Sequence, residues 1–205
     1  AVNLKRTLAC SSMSQMGFVL VGIGMASLLG EEGALATRGA VLHMVNHSLF
    51  KLILFLTAGV VFMNLEELEL NEVRGFGRKK PLLQAVYLSG ALGIGGIPLF
   101  SGYASKTLLH ESIVEFIHEA HHLAGWYKAA EMLFLFSGGL TVSYMIKLYV
   151  ALFVNRHPEK QAEFDAKAKS YVNPVSRVAL ILSAIAVPIL GMFPNIFMDG
   201  IANMS

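Results

Sequence analysis

Residues 36–64, ATRGAVLHMVNHSLFKLILFLTAGVVFMN, constrain the fold more than any other stretch of this chain. At 1.5 Å per residue, a helix of this length crosses a hydrocarbon core of about 30 Å with some tilt. Its apolar run is interrupted by His43, His47 and Lys51, spaced four residues apart. Positions i, i+4 and i+8 stack along one side of a helix, so the three titratable groups are expected to form a ladder roughly 12 Å long. Lys51 falls near the middle of the segment. An ammonium at the bilayer centre costs on the order of 3 kcal/mol on insertion scales, and such residues usually face a bundle interior and serve ion or proton paths.

Hydrophobic residues make up 55% and charged residues 15% of the 205-residue chain, too apolar a balance for an ordinary soluble domain. The expected fold is all-α: a polytopic membrane bundle of about five transmembrane helices, the third broken by a Gly/Pro stretch. The spans fall at about 7–29, 36–64, 81–118, 127–154 and 175–193, within a single transmembrane domain. The third contains GIGGIPLFSG, too rich in Gly and Pro to remain regular helix. Backbone freed at membrane depth must face protein or a water-filled cavity, and discontinuous helices often build ion sites in transporters. Lys106 follows the break directly, with His110 one turn later on the same face. The segments 65–80 and 155–173 read as charged aqueous loops. The abrupt start at AVNLKR suggests a piece of a longer protein.

Charge orients the bundle. Threading five spans collects Lys5, Arg6, Arg74, Arg78, Lys79, Lys80, Arg156, Lys160, Lys167 and Lys169 on one side, against Arg38 and Lys128 on the other. Cytoplasmic loops accumulate Lys and Arg, so the rich side is expected to be the cytoplasm and the membrane the inner, cytoplasmic one. His43 then lies outward of His47 and Lys51, and His110 outward of Lys106. Both rows read as an outward-opening proton half-channel, with histidines, which ordinarily titrate near neutral pH, as carriers.

Each reading has a plainer rival. The ladder could hydrogen-bond between helices and only fix packing, and Lys106 could simply satisfy carbonyls freed by the break. Lys147 lies close enough to the cytoplasmic boundary to snorkel. His118 and His122 flank Glu119 in HEAHH, a literal HExxH match, but no third ligand or substrate cleft accompanies it, so no metal site is expected. Cys10, the single cysteine, excludes an internal disulfide framework and is expected to be an inert packing residue. Nothing reads as a phosphate-cradling loop, a nucleotide fingerprint or a Ser/His/Asp arrangement, and no nucleic-acid partner is expected.

NLKRTLACSSMSQMGF and HMVNHSLFKLILFLTAG resemble two signatures, DLKRxLAYSSxSQxG and HxxxHxxFKxxLFLxxG, of the antiporter-like membrane subunits of respiratory complex I. IPLFSGYASKTLL is similar to the broken-helix segment of the same family, which includes subunits of multisubunit sodium/proton antiporters and of energy-converting hydrogenases. The resemblance implies that Lys5 begins a helix on the proton path, that His43, His47 and Lys51 belong to a central hydrophilic axis, and that Lys106 is the terminal lysine of the broken helix. It covers most of the second of two inverted five-helix repeats. Asn3 stands where Asp is usual, removing a carboxylate near Lys5, and Cys10 stands where Tyr is common. The implied function is proton translocation by a subunit that makes no bonds itself. Its partners are other membrane subunits, and redox cofactors are left to them, since no flavin, haem or iron–sulfur ligand set is present. Sodium/proton exchange and a purely structural membrane anchor are the rival functions.

Overall fold

The computed structural model describes residues 3–119, 124–168 and 170–193. Among the described residues, eight α-helices follow in order: α1 Leu4–Leu29, α2 Ala34–Leu65, α3 Leu70–Val73, α4 Pro81–Gly95, α5 Ser101–Glu119, α6 Ala124–Tyr149, α7 Gln161–Ala166 and α8 Pro174–Met192. The chain is an all-α polytopic membrane bundle. Among the described residues, Leu4–Glu32, Ala34–Leu65, Gly125–Val154 and Pro174–Met192 are long and apolar enough to cross a membrane, and Pro81–Gly95 is a shorter apolar helix.

Local chemistry sets the ends. Asn3 caps α1 by accepting the Arg6 N–H at 3.2 Å, so the helix starts three residues before the apolar run does. A 3-10 turn at Gly30–Glu32 reverses the chain into α2, and Gly30 takes a φ of 58° that a side chain would resist. α1 and α2 pack closely where side chains are smallest. A Cβ on Gly22 would come within 2.9 Å of the Ala40 Cβ, whereas Gly17 and Gly24 of the same helix have no neighbour within 4 Å.

The third crossing is broken as expected, between Gly95 and Ser101. Gly96 caps α4 at φ 74°, and Pro98 has no N–H to offer the Ile94 carbonyl four residues back. Lys106 supplies the missing donor, with Nζ 2.8 Å from the Ile94 carbonyl oxygen. Asn46 of α2 donates to the Ser101 carbonyl at 2.8 Å, tying the start of α5 to the same helix. Gly102 lets the two half-helices meet, because a Cβ there would overlap the Gly93 carbonyl. α8 repeats the proline logic: Pro188 leaves the Ala184 carbonyl free, and the Ser89 hydroxyl of α4 donates to it at 2.6 Å.

Two apolar clusters result. One joins the 53–61 part of α2 to α4, Met145–Phe153 and the connecting loops, and the other joins α1, the first turns of α2 and α5. Large apolar side chains remain exposed on α1, α6 and α8, such as Leu20, Phe136 and Leu182, the surface a bilayer would cover.

The two charged segments are not the free aqueous loops read from sequence. Phe76, Lys80, His157 and Phe164 are buried where these segments dock together. A π-helical turn at Val150–Val154 ends the fourth span and frees carbonyls, which the 75–78 loop takes up. Gly75 N–H donates to the Ala151 carbonyl and Gly77 N–H to the Leu152 carbonyl, both at 2.9 Å, and the Arg78 guanidinium donates to the Val154 carbonyl. Phe76 meets Phe164 edge to face at 5.7 Å, a contact worth about 1 kcal/mol. Ion pairs Lys79–Asp165 and Lys160–Glu72, both at 2.8 Å, hold the rims and keep both carboxyls below their ordinary range. The chain start joins the same end: Leu4 N–H donates to the Leu68 carbonyl and Asn3 to the Glu69 carboxylate, each at 2.9 Å. The three basic segments thus gather at one end of the bundle, as the threading requires.

Candidate functional site

His43 and Lys51 do not look at the same neighbour. His43 is fully buried and turned to α5, where its Nδ1 lies 3.0 Å from the Ser105 hydroxyl. Lys51 is buried against α1, where Nζ donates to the Leu8 carbonyl at 2.7 Å and to the Ser11 hydroxyl. His47 lies between them, half-buried. The single-faced ladder is therefore a twisted one. Each four-residue step advances about 40° beyond a full turn at 3.6 residues per turn, so two steps carry the last rung about 80° around the helix.

This twist turns the polar groups of α2 to two neighbours, α5 and α1. Ser105, the partner of His43, precedes Lys106 on α5, and Ser11, the partner of Lys51, lies one turn before Gln15 on α1. Gln15 is fully buried and donates to Thr141 of α6 at 3.4 Å, and Ser14 pairs with Ser137 of α6 at the same distance. Gln15 Oε1, His43 Nε2 and His47 Nε2 are buried atoms with no protein partner. Buried polar groups in this condition usually hydrogen-bond to water.

Phe18 is the hub beside His43 and Lys106. Its ring lies 5.7 Å from the His43 ring, 4.9 Å from Lys106 Nζ and 4.8 Å from the Phe134 ring. Beyond it, Phe134 stacks with His110 at 6.1 Å, and His110 Nε2 meets the Glu131 carboxylate at 2.9 Å.

Of the six residues expected to carry protons, His43 and Lys51 are buried, His47 and Lys106 are half-buried, and His110 is 28% exposed on the far side of Phe134. Lys5 is exposed at the start of α1, three residues before the Leu8 carbonyl that holds Lys51. Lys106 makes the carbonyl contact that its plainer reading anticipated. Cys10 is exposed on α1 and does not pack in the interior. Lys147 is exposed. Of the HExxH match, His118 lies exposed at the end of α5 and His122 lies outside the described residues. Sequence reading passed over Glu131, although a lone carboxylate inside an apolar span was a signal; Phe18, Gln15 and Ser105 carried none beyond their place in the motifs.

The profile of a family described as "NADH:quinone oxidoreductase/Mrp antiporter, TM" matches residues 1–130. The chain is 31% identical over 199 residues to NAD(P)H-quinone oxidoreductase chain 4 of Prochlorococcus marinus (strain NATL1A), covering 96% of this chain and 35% of that one. It is 29% identical over 189 residues to formate hydrogenlyase subunit 3 of Escherichia coli (strain K12), covering 89% and 31% respectively. The fold is similar to a chain in the structure of respiratory complex I from Thermus thermophilus with bound aureothin. That match has a TM-score of 0.50 at 19% identity and covers 95% of this chain and 45% of that one. The chain spans about a third of the length of these curated relatives.

Proposed function

The chain belongs to the NADH:quinone oxidoreductase/Mrp antiporter membrane family, and from this premise we propose that it carries part of a proton path in a multisubunit membrane complex of the complex I or hydrogenase type. The observation that carries the reading is the set of polar groups Lys51, His47, His43, Ser105 and Lys106 inside the bundle, in which His43 bonds Ser105 and the Nε2 atoms of His43 and His47 are buried without a protein partner. Two buried ionisable groups, a half-buried histidine between them and a lysine at a helix break are costly as packing alone.

In this reading a proton held on Lys51 passes through water and the histidine pair toward Lys106, and leaves outward past His110. Lys5 marks the cytoplasmic end of the path, the basic end of the bundle faces the cytoplasm, and the membrane is the inner one. The chemistry is proton displacement without bond-making, driven by partner membrane subunits that hold any redox centres. Protons are favoured over sodium because these groups are Lys and His, not the carboxylate and carbonyl oxygens that a hard cation takes as ligands.

The test is proton uptake by vesicles containing the full-length parent assembly, wild type against Lys51→Ala, with assembly checked in parallel. Lost uptake in an assembled complex is the expected result. Unchanged uptake would leave these groups as interhelical packing and favour the structural-anchor reading. Repeating the measurement with and without sodium separates proton translocation from exchange.

A further inference from the structure

Resting on the proton-path reading, we propose that Glu131 is the terminal proton acceptor of an exit step on the outward side of Lys106, fed by His110 and walled by Phe18 and Phe134. Glu131 lies in α6, two turns into an apolar helix, and its Oε1 is 2.9 Å from His110 Nε2 of α5. The two side chains are 25% and 28% exposed, between the fully buried His43 and an open surface. This is the environment an exit group needs: enclosed enough to receive a proton from its neighbour, open enough to lose it.

The aromatic rings give the pair its direction. Phe18 covers Lys106 Nζ at 4.9 Å and packs on Phe134 at 4.8 Å. Phe134 in turn stacks on the His110 ring. The side of Lys106 toward α1 and α6 is thus closed by hydrocarbon, and the next titratable group along its own helix is His110, one turn outward. The step balances simply. The Lys106 ammonium gives its proton to His110, the imidazolium passes its Nε2 proton to the Glu131 carboxylate, and the carboxylic acid releases it to water outside, leaving imidazole and carboxylate ready for the next proton.

Among the described residues, the other ionisable groups in this neighbourhood are few. They are Glu111 beside His110 on α5, Glu115 a turn further on, Tyr127 and Lys128 a turn before Glu131 on α6, and His43 of α2 beyond Phe18. α1 contributes Phe18 and no titratable side chain.

The experiment compares wild type, Glu131→Gln, Glu131→Asp and Lys106→Ala in the full-length parent assembly in vesicles, reading turnover-coupled proton uptake from pH 6 to 9. The amide keeps a hydrogen bond to His110 but cannot take up a proton. Glu131→Gln is expected to lower uptake at least fivefold in an assembled complex and to change the pH profile, with Glu131→Asp retaining at least half of the wild-type rate. Wild-type uptake and an unshifted profile in Glu131→Gln, beside lost uptake in Lys106→Ala, would overturn the exit step while leaving the proton path in place. Wild-type uptake in Lys106→Ala would overturn the path itself. Should Glu131→Gln fail to assemble, Glu131→Asp decides: a shifted pH profile supports the step and an unshifted one at full rate overturns it.

Discussion

The Lys106 ammonium sits 2.8 Å from the carbonyl of Ile94, bonding the second half of the broken helix to the first at the acceptor that Pro98 leaves free. A lysine on a proton path is therefore also a structural peg. Lys106→Met should lower stability by about 1.5–3 kcal/mol, the range for a hydrogen bond to a charged group, with Lys106→Arg recovering part of it. Unfolding of the detergent-solubilised chain in graded SDS would measure this. Equal stability of all three proteins would show that the carbonyl finds another donor.

Ser89 and Ala184 repeat the arrangement without a charge. Ser89→Ala should cost about 1 kcal/mol because it strands the carbonyl that Pro188 cannot satisfy. A Pro188→Ala background restores a backbone N–H that can bond the Ala184 carbonyl, and there the loss of the Ser89 hydroxyl should become nearly neutral. A double-mutant cycle in the same unfolding assay gives the coupling, and strict additivity would refute it.

Gly77 lies against the Phe153 ring, and any Cβ there would overlap it. Gly77→Ala should detach the 75–78 loop from the π-helical turn and expose the 66–80 segment to protease, by a cost of about 1–3 kcal/mol from overpacking. Phe153→Leu should relieve the clash in the double variant. Protection of the segment in Gly77→Ala equal to wild type would contradict this.

Lys80 is fully buried, its Nζ bonded to the Phe76 and Phe164 carbonyls at 2.7 and 2.9 Å. Burial lowers its pKa from the ordinary 10.5 to about 8, the nearby Asp165 carboxylate offsetting only part of the effect. The unfolded chain holds the proton more tightly, so the charged form destabilises the fold. That penalty is complete below pH 8 and disappears as pH rises toward 10.5. The stability of wild type relative to Lys80→Met should therefore increase between pH 8 and 10, by up to about 3 kcal/mol. Thermal unfolding in detergent across that range measures it, and a flat difference would sink the assignment.

The outline of this fold was open to sequence reading because a bilayer imposes length and backbone satisfaction on every crossing. The apolar runs, the GIGGIPLFSG interruption and the distribution of basic residues located the helices, the break and the end where the loops meet. Loop packing was less legible. Nothing local to RGFGRKK or to the 155–173 segment announced that Phe76, Lys80 and Phe164 would be buried against one another, because each is covered by residues from the other segment.

What the sequence determined alone is which segments are long and apolar enough to cross a bilayer and in what order the polar residues fall along each helix, since rise per residue and hydrocarbon thickness are fixed quantities. What only the tertiary structure decided is which neighbour each side chain meets. Leu8 and Leu20 occupy the same apolar helix, yet one is buried at 1% exposure and the other stands 67% exposed. Lipid-facing and protein-facing surfaces are both apolar, so no polar contrast along the chain distinguishes them. For the same reason the turn of His43 toward Ser105, of Lys51 toward Ser11 and of His110 toward Glu131 emerged only once the helices were packed.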